Sequence, residues 1–432
     1  WDQRLLGWDI IGTLGHVLGL AMAQLLSPEE HQRLSAELRL ARADAKAGRF
    51  VVGDTDEDAH TALEGRLVTR LGALGEKVHT GRSRNDQVLA ALRLYLKDQL
   101  LDLELEAIST TRALLAFGRR HERVAMPGYT HLRQAMPSTI ALWAAGYAEC
   151  LLDDLGVIDA VLELCDRSPL GSGAGYGVPL PLNRAAVASA LGFARPQRAV
   201  TSVQLSRGKL EAIVLSALWA VARDLASLSW DVILFSAEEY GFFTLPVELA
   251  TGSSIMPHKR NPDIFELTRG RAGWIAGLAT QAMAVAGSLP GGYHRDLQLV
   301  KGPLLAGLET ARAMLRMMAS AIPRLGVDRS RCAATLRGDL LATEEVYRRV
   351  REGIPFRSAY RQVAHEVHSG VEAPAVTVAD LLDARNELAG ANPAVLRELG
   401  RATAVRWRRA SARRRRFDAA MAKLAGNHGD AV

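Results

Sequence analysis

From Asp86 to about Arg123, apolar residues recur at three- and four-residue steps (Val88, Leu89, Leu92, Leu96, Leu100, Leu103) with charges between them. That period marks one face of a single long amphipathic helix, and a helix of that length restricts the chain to folds that give it long partners. The partners are visible. Similar patterns fill Ser138 to Asp166, Gln204 to about Glu239, Asp263 to about Ala286 and Pro303 to about Ile322. Five long helices in one region predict an all-α fold built around a central bundle. Strand signals are short and isolated, and neither a βαβ spacing nor a dinucleotide-binding turn is present. The glycine-rich stretch Gly171 to Gly177 has no strand before it, so it reads as a loop between bundle helices. The expected organisation is three helical domains: residues 1–81 with shorter helices, 82–331 with the five-helix bundle, and 332–432 with breaks at Pro355, Pro374 and Pro393.

Composition narrows the class without naming it. The 432 residues carry ample apolar content for a large core. No uncharged apolar run reaches the roughly 18 residues that span a bilayer, and no signal peptide opens the chain, so the cytoplasm is the expected compartment. Cys150, Cys165 and Cys332 are too few and too scattered for a disulfide framework or a zinc site, and read as small buried hydrophobes. The helix carrying Leu210, Ile213, Val214, Leu215, Leu218 and Val221 is apolar on more than one face, which predicts self-association. Net charge is +6, a weak pull on anions. Arg406, Arg408, Arg409 and Arg413 to Arg416, beside Trp407 and Phe417, suit either a nucleic-acid grip or a solvated helix face. The second is the expectation.

The segment Thr251 to Asp263 reads TGSSIMPHKRNPD, with small residues, hydroxyls and two prolines that mark a loop. Lys259 supplies a positive charge, Asn261 an amide donor, and Gly252, Ser253 and Ser254 free backbone amides. Together they suit a carboxylate that gains charge during a reaction. An ordinary polar surface loop has the same ingredients. The string GSSxMPxKxNP, however, resembles the signature loop of the fumarase/aspartase superfamily of fumarate-releasing lyases. The blocks Asp54 to Thr61, His79 to Val88 (HTGRSRNDQV), Met126 to Leu132 and Tyr293 to Gln298 with Lys301 resemble its argininosuccinate lyase family in order and spacing.

This resemblance implies a cofactor-free, metal-free homotetramer whose central bundles pack together, with motif blocks from different subunits meeting in shared active sites. It implies a small-molecule substituted succinate as substrate and fumarate as product. Ser253 would be the base, and to act so it must be ionised by neighbouring cations and amides. His131, whose family counterpart pairs with the glutamate that is Glu266 here, would deliver a proton to the leaving nitrogen or hold the product. Lys259 would stabilise the charge that develops. Ser83, Arg84 and Asn85 precede the first long helix, where side-chain donors and free amides converge on an anion. Thr13, His60, Thr130, Ser254, Asn261, Tyr293, Gln298 and Lys301 match positions that contact substrate in the family. Each of these residues has a plain surface or structural alternative.

Several positions depart from the family pattern. Thr130 to Pro137 reads THLRQAMP where THLQRAQP is usual, and His258 and His294 replace a glutamine and an asparagine. The family's NSxDAVSDRD segment is VTSVQLSRGK here, so Arg207 and Lys209 stand where acids are usual. If both face the leaving group, a cationic amine is penalised. Argininosuccinate remains the first expectation, with another aspartate adduct second and a non-enzymatic, crystallin-like reuse of the fold third.

Overall fold

The computed structural model describes residues 1–336, 338–370 and 394–426; Pro374 and Pro393 lie outside them. The opening helices are α1 (Asp2–Met22), α2 (Pro28–Lys46), α3 (Ala59–Leu71) and the single turn α4 (Ala73–Glu76). The bundle consists of α5 (Arg84–Arg120), α6 (Ile140–Cys165), α9 (Lys209–Ser236), α10 (Asp263–Gly287) and α11 (Lys301–Ala321), with the short helices α7 (Arg184–Ala190) and α8 (Thr201–Leu205) between α6 and α9. All five long helices predicted from periodicity are present. Beyond them lie α12 (Arg329–Ala334), α13 (Ala342–Arg351), α14 (Phe356–His368) and a C-terminal helix, Ala394–Ala425.

Two local devices set where these helices begin. Ser83 caps α5, its hydroxyl accepting from the Asn85 amide at 3.3 Å while Asp86 accepts from the Ser83 amide at 3.0 Å. The other Asp86 oxygen accepts from the amides of Gly171 and Gly173, at 3.1 and 2.9 Å, which ties the glycine-rich loop to the start of α5. The helix expected to run continuously from Gln204 instead starts at Lys209. Helix α8 stops at Leu205, and Gly208, the residue before α9, has φ +77°, a backbone conformation that a continuous helix does not contain.

The bundle helices alternate in direction. The Ile140 amide donates to the Val124 carbonyl at 3.0 Å, so α6 starts where α5 stops. It returns to the starting end, where Lys97 of α5 meets Asp166 at 2.5 Å. Next, α9 departs from Ser206, held by Arg93 at 2.7 Å, and delivers Phe235 to within 5.8 Å of the Tyr129 ring at the far end. The return of α10 brings Ala286 against Gly208. Finally α11 leaves from Lys301, paired with Asp2 at 2.9 Å, and late in its course Leu315 accepts from Thr110 of α5. One apolar core runs through the opening helices, the bundle and the C-terminal helix, and a small separate cluster of Val346, Ala359 and Val363 joins α13 to α14.

Several expectations change. Eight strands of two to seven residues are present, in four two-stranded pairs, among the described residues. The longest pair is a hairpin of β1 (Ala125–Thr130) and β2 (Arg133–Thr139), which lies between the first two predicted long helices and takes in Ser138 and Thr139 from the second. Cys165 and Cys332 are buried but Cys150 is exposed. Helices α1 and α9 are long and apolar enough to cross a membrane, although most of each is buried within the fold. The arginine-rich C-terminal helix is not simply a solvated face. Arg413 bridges Asp159 of α6 and the buried Glu104 of α5, Arg406 and Arg409 also pair with Asp159, and Arg414 pairs with Asp98 at 2.7 Å and Asp102 at 3.2 Å.

Candidate active site

At the far end of the bundle, the loop between α9 and α10 is closed by the pairing of two short strands, Thr251–Gly252 and Arg260–Asn261. Thr251 hydrogen-bonds the Asp263 carboxylate at the first position of α10. Between the strands, the Ser253 Oγ accepts from the amides of Met256 and Ile255, at 3.1 and 3.3 Å. Two donors aimed at one oxygen favour its ionised form over the neutral hydroxyl. Ser254 and Lys259 are exposed on the same loop, Asn261 is half-buried at its end, and Glu266 is exposed in the first turn of α10.

The same end carries the β1–β2 hairpin. Its two-residue turn is His131 and Leu132, with φ of +53° and +56°, flanked by the pair Thr130 and Arg133. Left-handed backbone at two non-glycine residues costs of order 1–3 kcal/mol each, and such strain concentrates where a side chain must be displayed. The imidazole is exposed at the tip. Tyr129, next to that flanking pair, packs its ring 5.7 Å from Tyr240 and 6.4 Å from Phe242. Among the described residues, no hydrogen bond joins His131 to Glu266.

At the opposite end, where α5 begins, a cleft of about 720 Å³ opens between α1, α5 and the α10–α11 connection. Five sequence-predicted residues line it: Arg84, Asn85, Tyr293, Gln298 and Lys301. Gln298 donates to the Tyr293 hydroxyl at 3.1 Å, and Arg84 is held by Glu57 at 2.5 Å and Asp58 at 3.2 Å. Ser83 is the cap of the helix behind them. Thr13 and His60 do not line the cleft. Both are buried beneath it, Thr13 accepting from Arg82 at 2.8 Å and His60 paired with Asp9 at 2.8 Å. Arg207 reaches the cleft wall with its guanidinium 4.6 Å from the Tyr293 ring centre, whereas Lys209 lines neighbouring pockets instead. Burial lowers the Arg207 pKa from its ordinary value against the opposing pull of Glu211.

Sequence reading missed Asp2, Glu57, Asp58 and Asp296 as cleft residues, which give the cleft carboxylates to set against its cations. The only available signal for Glu57 was its place in the acidic DTDED run.

The two groups of residues are far apart within one chain. Asn85 opens α5, whose 37 residues span about 55 Å, and the His131 hairpin follows its other end. Glu266 opens α10, whose 25 residues span about 37 Å before reaching the cleft end.

The chain matches the family described as Lyase over residues 6–277. It is 44% identical over 400 residues to the argininosuccinate lyase of Sorangium cellulosum, covering 93% of this chain and 92% of that one. The chain belongs to this lyase family. A second relative, the argininosuccinate lyase of Thermotoga neapolitana, is 41% identical over 365 residues, covering 84% of this chain and 92% of that one. Among solved structures, the lyase resembles an EDDS lyase in complex with formate, with a TM-score of 0.83 at 22% identity over 98% of this chain and 91% of that one. A class II fumarase from Schistosoma mansoni gives a TM-score of 0.73 at 17% identity over 91% of this chain and 90% of that one. These two likenesses establish the all-α lyase fold.

Proposed function

We propose that this lyase splits argininosuccinate into arginine and fumarate by β-elimination, in sites assembled from more than one subunit of a homotetramer. The observation that carries the chemistry is the Ser253 oxygen receiving two loop amides, with Lys259 and Asn261 on the same loop. Ionised Ser253 removes a proton from the carbon beside a succinyl carboxylate. The electron pair moves into that carboxylate, where Lys259, Asn261 and the loop amides offset the added charge. Its return forms the carbon–carbon double bond of fumarate and expels the neighbouring nitrogen, and His131 gives that nitrogen its proton. Closure of the exposed loop over the substrate excludes water and strengthens each of these interactions.

Arg84, Asn85, Tyr293, Gln298 and Lys301 offer cations and donors to the rest of the substrate from the cleft of a second chain, with Thr130 beside His131 at the hairpin tip. The two groups stand at opposite ends of the bundle, so a second bundle packed antiparallel to the first would bring one group from each chain together. The compartment consistent with this activity is the cytoplasm.

A second reading, elimination from a different aspartate adduct, draws on Arg207, whose positive charge on the cleft wall disfavours a guanidinium. Asp2 is paired with Lys301, and Glu57 and Asp58 with Arg84, so Asp296 is the cleft carboxylate left to set against Arg207; the 44% identity to an argininosuccinate lyase over 93% of this chain keeps argininosuccinate first. Ultraviolet detection of fumarate from a panel of aspartate adducts decides between them. Release from argininosuccinate at the highest kcat/KM supports the first reading, and release only from adducts of neutral or acidic amines replaces it with the second.

A further inference from the structure

On the other side of the Ser206-Arg207-Gly208-Lys209 turn from the cleft lies a second pocket, of about 460 Å³. Its charged wall consists of Arg93, Arg167, Arg195, Arg198 and Lys209, and among the described residues no carboxylate lines it. Glu163 reaches Arg167 only at 3.9 Å, with 82% of its side chain exposed to solvent. Three residues of this wall hold buried polar atoms without a partner among the described residues: Arg93 Nε, Arg167 Nε and Gln197 Oε1. Arg93 is 1% exposed and spends its two other nitrogens on the Arg167 carbonyl at 2.6 Å and the Ser206 hydroxyl at 2.7 Å. Burial brings its guanidinium down to about 10, so it remains charged at neutral pH. Helix α9 begins at Lys209, adding the partial positive charge of a helix N-terminus.

Buried Glu211 sets one carboxyl against Arg93 and Arg207, but Arg167, Arg195, Arg198 and Lys209 face the space with no carboxylate lining it, and binding of an anion offsets their mutual repulsion. Arginine forks match the paired oxygens of phosphate, and a set of several cations favours an anion with more than one charge. The free Gln197 oxygen is an acceptor, which suits a P–OH group and has nothing to take from a fully ionised dicarboxylate.

We propose that this pocket binds a phosphoryl anion, as inorganic phosphate or as the phosphate group of a metabolite, at a site separate from the cleft. Isothermal titration of the whole purified protein in chloride buffer tests it, with inorganic phosphate, pyrophosphate and the monoester ribose 5-phosphate as probes at matched ionic strength. The expected result is saturable phosphate binding that persists in the presence of fumarate and weakens about tenfold or more when Arg195→Ala and Arg198→Ala are combined. Tighter binding of the monoester than of inorganic phosphate would identify a metabolite as the source, and equal binding would identify the free ion; either supports the site. Absence of saturable binding would overturn the proposal, as would competition with fumarate or an affinity unchanged in the double variant. Loss of the assembled mass in Arg198→Glu would also overturn it, by showing that the pocket is filled by a neighbouring subunit's carboxylates.

Discussion

At the level of single residues, the proposed chemistry rests on Ser253 and the proposed specificity on Arg207. Removing the proposed base should be severe: Ser253→Ala is expected to lower kcat at least about a thousandfold while the protein stays folded and binds substrate. His131→Asn should cost less, roughly a hundredfold, since it removes proton delivery and leaves the Ser253 loop intact. Steady-state rates of fumarate release measure both, and near-normal turnover of Ser253→Ala would end its assignment as base. Arg207 and Lys209 are expected to part company. Neutralising Arg207 should change the KM for argininosuccinate because its guanidinium lines the cleft, whereas Lys209→Gln should leave KM unchanged because its side chain lines neighbouring pockets. Equal effects of the two substitutions on KM would contradict that separation. The sequence marked Arg207 and Lys209 together because both stand where the family's segment has acids. The left-handed turn at Gly208, φ +77°, sends them to different surfaces, and no pattern of side chains announces it. Thr13 and His60 show a similar limit, because a motif match does not distinguish a cleft-lining side chain from one buried behind the wall.

At the level of elements, the long helices were legible because a 3.6-residue period survives over many turns, and α10 begins at the predicted Asp263. The β1–β2 hairpin was not, because its turn residues are His131 and Leu132 rather than the asparagine and glycine that usually signal such a turn. The arginine-rich helix was legible as charge but not as contact. Its partners Asp98, Glu104 and Asp159 lie some 250 to 320 residues earlier in the chain. Arg413→Ala should leave the carboxylate of Glu104, 0% exposed, without its cation and destabilise the fold by about 3–5 kcal/mol. The denaturation midpoint reports this, and an unchanged midpoint would mean that the helix is held by its apolar face alone.

Helix α6 carries a pH-dependent element. Burial, with help from Asp224 and Asp153, raises the Asp154 carboxyl from 3.8 to about 7. The folded state therefore keeps a proton that the unfolded chain has already released, and stability falls as pH rises from about 4 to about 7. Asp154→Asn is expected to be more stable than the parent at pH 8, by on the order of 2 kcal/mol, with the difference closing as pH falls towards 4. Melting curves across that range check the sign; a variant less stable than the parent at pH 8 would show that the Asp154 charge is well paired in the assembled protein.

At the level of the whole molecule, one geometric fact organises the rest: the Ser253 loop and the His131 hairpin stand at one end of the bundle, while Asn85 and its cleft stand at the other. The spacing of motifs along the sequence does not reveal this, because two blocks far apart in sequence can still meet in space. Helix lengths and directions do reveal it. The most direct test mixes two inactive variants, Ser253→Ala from the far end and Asn85→Ala from the cleft end, after dissociating and reassembling them together. If active sites draw these residues from different chains, some sites in the mixed assembly hold both intact, and a fraction of the parental fumarate release returns although neither variant alone has it. If each chain builds its own site, every site in the mixture lacks one of the two residues, and activity no higher than that of the separate variants would contradict the account.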